Sequence, residues 1–157
     1  MKVGILLGRF QPFHLGHLQL MVRILSECDR LVVCVGSAQK TDLYTGDERV
    51  SLIRQQMAEL GLSHRVEVFQ MVDPEPLDLW PERLVNICQI RSEDNNVLYR
   101  SDLDIPLVQR WRLRDLGVTL KIVQRKPFFY RCPDGIHRLV SSASDIKRLD
   151  PDYSRRV

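Results

Sequence analysis

Five short strand-like runs, apolar or alternating, separated by stretches whose apolar residues recur at helical spacing, leave this chain few ways to fold. The runs lie at residues 3–7, 31–35, 65–72, 97–99 and 119–123. The first two, Val-Gly-Ile-Leu-Leu and Leu-Val-Val-Cys-Val, are apolar throughout, as strands buried on both faces must be. Between them Leu18, Met21, Val22 and Leu25 mark one face of a helix. Val50, Ile53 and Met57 do the same over 47–60, with Gly61 just past the end. Residues 79–90, with Pro81 in the first turn, and 106–116, ending at Gly117, read as two further helices. Strand–helix alternation of this kind predicts an α/β fold, an open parallel sheet of about five strands with helices on both faces.

The rhythm breaks over 127–140. There Phe128-Phe129-Tyr130-Arg131 and Ile136-His137-Arg138-Leu139-Val140 flank Cys132-Pro133-Asp134-Gly135, and Asp-Gly between two β-prone runs signals a hairpin. Ser141-Ser142-Ala143-Ser144-Asp145-Ile146-Lys147-Arg148 then places capping residues ahead of a basic turn, so a last helix is expected to start there. No repeat, low-complexity tract or linker interrupts the chain, and its 157 residues read as one domain, 1–157.

With 44% hydrophobic and 27% charged residues this is an ordinary globular composition. A net charge of +3 suits a small anionic substrate; nucleic-acid binders carry a denser basic patch, so none is expected as a partner. No apolar stretch approaches ~20 residues, so no membrane span is expected. The N-terminus runs straight into a strand and lacks the ordered regions of a signal peptide. Cys28, Cys34, Cys88 and Cys132 form no Cys-x-x-Cys pair. Cys34 and Cys88 lie on apolar segments and are expected to be buried thiols, which fits a cytoplasmic protein.

The segment Gly8-Arg9-Phe10-Gln11-Pro12-Phe13-His14-Leu15-Gly16-His17 joins the first strand to the first helix. In an open parallel sheet such a junction lies at the carboxyl ends of the strands, where ligands bind. A helix N-terminus there offers unpaired N–H groups and a positive dipole end to a phosphate. His14 and His17 add side-chain donors, and Gly16, lacking a Cβ, leaves room for a bulky anion. A short His-x-Gly-His also occurs among ordinary core and surface histidines. No third His, Cys or carboxylate at a fixed offset supports a metal site, and the place of the pair after a buried strand favours phosphate chemistry.

The last helix is a second place to hold phosphate, through Ser142, Ser144, Lys147 and Arg148; the other reading is a plain cap followed by a solvated face. Arg49, in a first helical turn, opposes the dipole. Either a phosphate or a surface pair with Glu48 or Asp47 is expected to balance it.

Gly8-Arg9-Phe10-Gln11-Pro12-Phe13-His14 with Gly16-His17 resembles the signature of the nucleotidylyltransferase superfamily. More narrowly it resembles nicotinamide mononucleotide (NMN) adenylyltransferases of the archaeal and Nudix-fused bacterial type. Gly36-Ser37-Ala38-Gln39, Thr45-Gly46-Asp47-Glu48-Arg49-Val50, Asp73 with Trp80, Pro106-Leu107-Val108-Gln109-Arg110 and Phe129-Tyr130-Arg131 are similar to further segments of that family. The resemblance covers most of the chain. It implies a Rossmann-like sheet and transfer of the adenylyl group of ATP, accompanied by Mg²⁺, to NMN, with NAD and pyrophosphate as products.

It implies roles as well. Arg9, His14 and His17 would face the triphosphate, with Gly8, Phe10 and Gly16 beside the α-phosphate. Ser144 and Lys147 would take the places of Thr and Arg in the family word Ser-Ser-Thr-x-Ile-Arg, flanked by Ser142 and Arg148. Ser37, Asp73 and Trp80 would hold the acceptor, the indole stacked on the nicotinamide ring; a Trp on an amphipathic helix is otherwise a core residue. Ser142-Ala143-Ser144-Asp145-Ile146 is also similar to the cytidylyltransferase word Ser-Thr-Ser-x-Ile. That keeps open nucleotidyl transfer from ATP or CTP to another phosphorylated acceptor, and a non-catalytic nucleotide sensor is the alternative outside the enzymes.

The chain departs from the family pattern in three places. The loop at 40–44 is shorter and lacks an Arg the family places there. The 127–140 hairpin looks like an insertion. The sequence stops soon after Arg148, short of the family's usual last helices; either contacts within a homo-oligomer cap the sheet, or this is a divergent enzyme with another acceptor.

Overall fold

The apolar runs become the parallel strands β1 (Lys2–Gly8), β2 (Arg30–Ser37), β3 (Val66–Val72), β4 (Asn95–Arg100) and β5 (Val118–Ile122), side by side in the order β3-β2-β1-β4-β5. The computed structural model describes residues 1–10, 13–37, 45–101, 105–124 and 126–152. Gln11 and Pro12 of the junction lie outside the described residues, as do Ala38, Gln39 and the shortened 40–44 loop. The intervening helices are α1 (Leu15–Glu27), α2 (Gly46–Glu59), α3 (Trp80–Ile87) and α4 (Leu107–Asp115).

Successive strand side chains point to opposite faces, so each run supplies two cores. On one face Leu6, Leu31, Val33, Val35 and Tyr99 pack with Met21, Ile24 and Leu25 of α1 and with Val50, Ile53 and Met57 of α2. On the other, Val3, Ile5, Val32, Cys34 and Leu98 pack with Leu84 of α3 and Leu113 of α4. Each such side chain, fully buried, contributes about 1.5–3 kcal/mol. α1 lies directly on bare backbone at Gly4, where a Cβ would sit 2.2 Å from Ile24 Cγ2.

α3 is shorter than the 79–90 periodicity predicts. A 3-10 turn at Leu77–Leu79 precedes it, and it stops at Ile87, beyond which Gln89 adopts a left-handed φ of 54°. That turn redirects the chain into β4 and ends the helix before its apolar residues run out.

The predicted hairpin forms as β6 (Phe128–Arg131) and β7 (His137–Val140), with Gly135 at φ 83° in its turn. It is a separate antiparallel pair rather than an extension of the main sheet. Its inner residues Phe128 and Val140 pack on Ile146 of α5 (Ala143–Leu149). All four cysteines are free and buried. Among the described residues no helix is long and apolar enough to cross a membrane.

The strand order decides where a ligand fits. From β1 the chain builds outward to β2 and β3, then crosses to β4 on the other side of β1. At such a reversal the flanking connections diverge and leave a crevice at the carboxyl ends of the strands.

Candidate active site

A cavity of about 1160 Å³ opens at this crevice. Gly8, Arg9 and Phe10 leave β1 along its wall, Tyr99, Arg100 and Ser101 come from the end of β4, and α1 and α5 close its sides. His14, Gly16 and His17 line it together.

His14 is the residue that starts α1, and His17 sits three residues on. The His14 N–H donates to Nδ1 of His17 at 3.1 Å. Since Nδ1 accepts, the proton of the neutral ring sits on Nε2, and His17 is thereby a donor in a defined tautomer. The first turn of α1 holds no carboxylate, so the positive end of the helix is left for an external anion. The two rings stack with centroids 3.7 Å apart. Phe128 stacks on the outer face of His14 at 5.1 Å, and Phe10 meets His17 edge-on at 4.7 Å. Packing between aromatic rings holds both imidazoles in place.

Gly16 serves this stack. A Cβ there would lie 2.9 Å from the His14 ring and 3.0 Å from Phe128, so the space it frees is filled by rings and not by an anion, as its spacing suggested. Gly8 is similar, with an added Cβ falling 3.2 Å from the Phe10 ring. Phe10 itself is 3% exposed and has a left-handed φ of 53°, a conformation that costs a bulky residue about 1–2 kcal/mol.

The α5 side differs in detail from its sequence reading. Ser142 is the cap, its Oγ accepting the Asp145 N–H at 3.2 Å. Asp145 accepts from the Ser141 N–H at 3.0 Å and hydroxyl at 3.2 Å. These bonds, the backbone one foremost, hold the Asp145 carboxyl below its usual range. The start of this helix therefore already carries an anion of its own. Ser142, Ser144 and Lys147 nonetheless line the cavity, while Arg148 is turned outward onto Asp145 at 3.0 Å.

Ser37, Asp73 and Trp80, expected to hold the acceptor, do not line this cavity. Ser37 ends β2 and pairs with Val72, the last residue of β3; Asp73 follows. Arg9 lines the cavity and reaches Asp73 at 3.6 Å, linking the two sides. Trp80, at the start of α3, is partly buried against the second core, and its indole N–H donates to Gln109 at 3.1 Å.

Arg49 departs from the surface-pair reading. It is 2% exposed and donates to the carbonyls of Arg9 at 2.7 Å and Gly36 at 2.9 Å, and it is not among the residues that line the cavity.

Two aromatics of the site escaped the sequence reading. Phe128, which backs His14 without lining the cavity, was legible only as a hairpin residue. Tyr99 looked like any strand residue, yet its hydroxyl donates to Glu27 at 2.7 Å. The Lys121 ammonium at 2.8 Å, with that hydroxyl, holds the Glu27 carboxyl down at about 2. Contacts spanning 72 and 94 residues leave no local signal. Among the described residues no three of His, Cys, Asp or Glu group as a metal site.

A sheet with this reversal, and paired histidines opening its first helix at the reversal, make a doubly wound α/β fold with a crevice suited to an anionic ligand. More particularly, the chain belongs to the cytidylyltransferase-like family, whose model matches residues 5–149. It is 38% identical over 85 residues to a nicotinamide-nucleotide adenylyltransferase of Saccharolobus solfataricus, a match covering 51% of this chain and 49% of that one. To the enzyme of the same name from Methanosarcina mazei it is 26% identical over 161 residues, covering 91% and 90%. In fold it is similar to a bifunctional NMN adenylyltransferase/ADP ribose pyrophosphatase of Francisella tularensis, solved with AMP and a manganese ion. There the TM-score is 0.61 at 19% identity, over 78% of this chain and 37% of that one. The chain thus spans about half the length of the Saccharolobus relative and nearly all of the Methanosarcina one.

Proposed function

We infer that this chain transfers the adenylyl group of ATP to NMN, forming NAD and pyrophosphate. A phosphate oxygen of NMN attacks the α-phosphorus of ATP; the new P–O bond forms as the bond to the β-phosphate bridging oxygen breaks, and pyrophosphate leaves with that electron pair. The attacking oxygen is already ionised at neutral pH, so the protein's work is positioning and charge stabilisation. ATP enters as its magnesium complex, the metal held by phosphate oxygens rather than by a protein cage.

The observation that supports this reading is the histidine pair at the positive end of α1, which lines one cavity with Arg9, whose guanidinium lies 3.6 Å from Asp73. His14 and His17 donate to the phosphoryl oxygens, with Gly8, Phe10 and Gly16 shaping the turn around the α-phosphate. Lys147, with Ser142 and Ser144, serves the outer phosphates, and Arg148 stands next to them. Ser37, Asp73 and Trp80 hold the NMN side, adjacent to β1. Four buried free thiols support a cytoplasmic location. A homo-oligomer is part of the same reading and is checked by light scattering.

The decisive assay offers the pure protein Mg-ATP or Mg-CTP with NMN, nicotinate mononucleotide and other phosphorylated acceptors. NAD and pyrophosphate from ATP and NMN are expected. Turnover only with CTP or another acceptor replaces the substrate assignment, and nucleotide binding without any turnover makes the chain a sensor. Trp80→Ala should weaken NMN far more than ATP; an equal loss of both returns Trp80 to the core.

A further inference from the structure

We propose that Arg49 is a positioning residue that makes the ends of β1 and β2 receptive to phosphate. The proposal rests on the reading of the cavity as a nucleotide site and goes beyond it, since Arg49 does not line that cavity.

Parallel strands all end on one side of the sheet, and their last carbonyl oxygens point partial negative charge at whatever binds there. For an anionic substrate this is a repulsive floor. Arg49 removes part of it. Its Nη1 takes the Arg9 carbonyl at 2.7 Å and the Gly36 carbonyl at 2.9 Å, and its Nε takes the Thr45 carbonyl at 3.2 Å. Those three oxygens belong to the loop after β1, the end of β2 and the residue that starts α2. One planar guanidinium thus joins three chain segments, a geometry that the single ammonium of a lysine does not reproduce.

The bond to Arg9 also sets a direction. In a trans peptide the C=O and the following N–H point opposite ways. With the Arg9 carbonyl drawn back onto Arg49, the Phe10 N–H is turned away from Arg49, and both Arg9 and Phe10 line the cavity. Phe10 holds its left-handed φ of 53° at the same peptide, a conformation that persists where neighbours over-determine it. Arg49 is one of those neighbours. Its α2 anchor is itself firm, because Thr45 and Glu48 cap each other, at 3.1 Å and 3.3 Å.

The test reads Mg-ATP affinity by calorimetry, so it does not depend on which acceptor the enzyme uses. Arg49→Lys keeps a buried cation and is expected to fold with a melting temperature near that of the native chain, yet to bind Mg-ATP about 10-fold or more weakly, as the loss of charge-assisted bonds predicts. Arg49→Ala should lose affinity further and regain it with millimolar guanidinium but not with urea, which has the same shape without the charge. Native affinity in Arg49→Lys overturns the proposal. So does a loss in Arg49→Ala that tracks the folded fraction alone, or equal rescue by urea. Should native protein bind Mg-ATP but make no NAD, the substrate assignment falls while the role of Arg49 is still decided by these variants.

Discussion

At the scale of single residues, the site depends on where a few hydrogen-bonding atoms are held. His17 presents an Nε2 donor because its Nδ1 is occupied by the His14 N–H. Removing one preorganised donor from a developing phosphoryl charge costs about 10²–10³ in rate, and His17→Ala is expected to lose that much turnover. The same change strips the His14 N–H of its acceptor, so the melting temperature is recorded alongside; near-normal turnover in a folded variant removes His17 from the chemistry. Lys147 and Arg148 form the second pair to compare. Lys147 lines the cavity, whereas the Arg148 side chain is 75% exposed and bonded to Asp145. Adjacent residues lie about 100° apart around a helix and do not face one ligand equally. Lys147→Ala should raise the KM for ATP with Arg148→Ala nearly silent. The reverse pattern would move the contact to Arg148, and two silent variants take α5 out of the site.

At the scale of elements, α1 is secured at both ends by partners far away in sequence. Its N-terminus is wedged between Phe128 of the hairpin and the aromatic residues of the β1 exit. Its last turn has no basic residue of its own, and Arg65 supplies one, donating to the Leu25 and Cys28 carbonyls at 2.7 and 2.9 Å. Glu27, its final residue, is tied to Lys121 and Tyr99, which line up with β5 and β4. Its carboxyl sits at about 2 in the folded chain against an ordinary 4.5. A folded-state value below the unfolded one means the stabilisation is fully present above pH 4.5 and is lost as pH falls toward 2. Melting curves across that window should decline less steeply in Glu27→Gln than in the native chain; identical slopes would assign the acid loss to other carboxylates, such as Asp134, which Arg138 likewise holds at about 2.

At the scale of the whole molecule, the order β3-β2-β1-β4-β5 puts the cavity at the reversal beside β1, where β1, β4, α1 and α5 all contribute. A ligand bridging four elements stabilises the folded chain as a unit. At a hundredfold excess over its Kd, Mg-ATP should add about 2.7 kcal/mol, which for a domain of this size raises the melting temperature by roughly 5–11 °C. Mg-CTP at the same concentration is the comparison. An ATP shift of zero would take the nucleotide off this crevice, and an equal CTP shift would remove any preference for the base.

Much of this was legible along the chain, because it depends on periodicity and on neighbouring residues. Runs such as 3–7 and 31–35 declared buried strands, Val50, Ile53 and Met57 declared a helix face, Asp134-Gly135 declared a turn, and the junction from Gly8 to His17 declared where chemistry would concentrate. The hairpin's docking on His14, the tautomer of His17 and the burial of Arg49 depended instead on segments distant in sequence meeting in space. Arg49 shows the reason. Locally it is a cation in the wrong turn of a helix, a feature that implies a surface pair or a ligand. Only when β1 and β2 end beside α2 do the carbonyls of Arg9 and Gly36 converge on one guanidinium, and that convergence belongs to the tertiary structure alone.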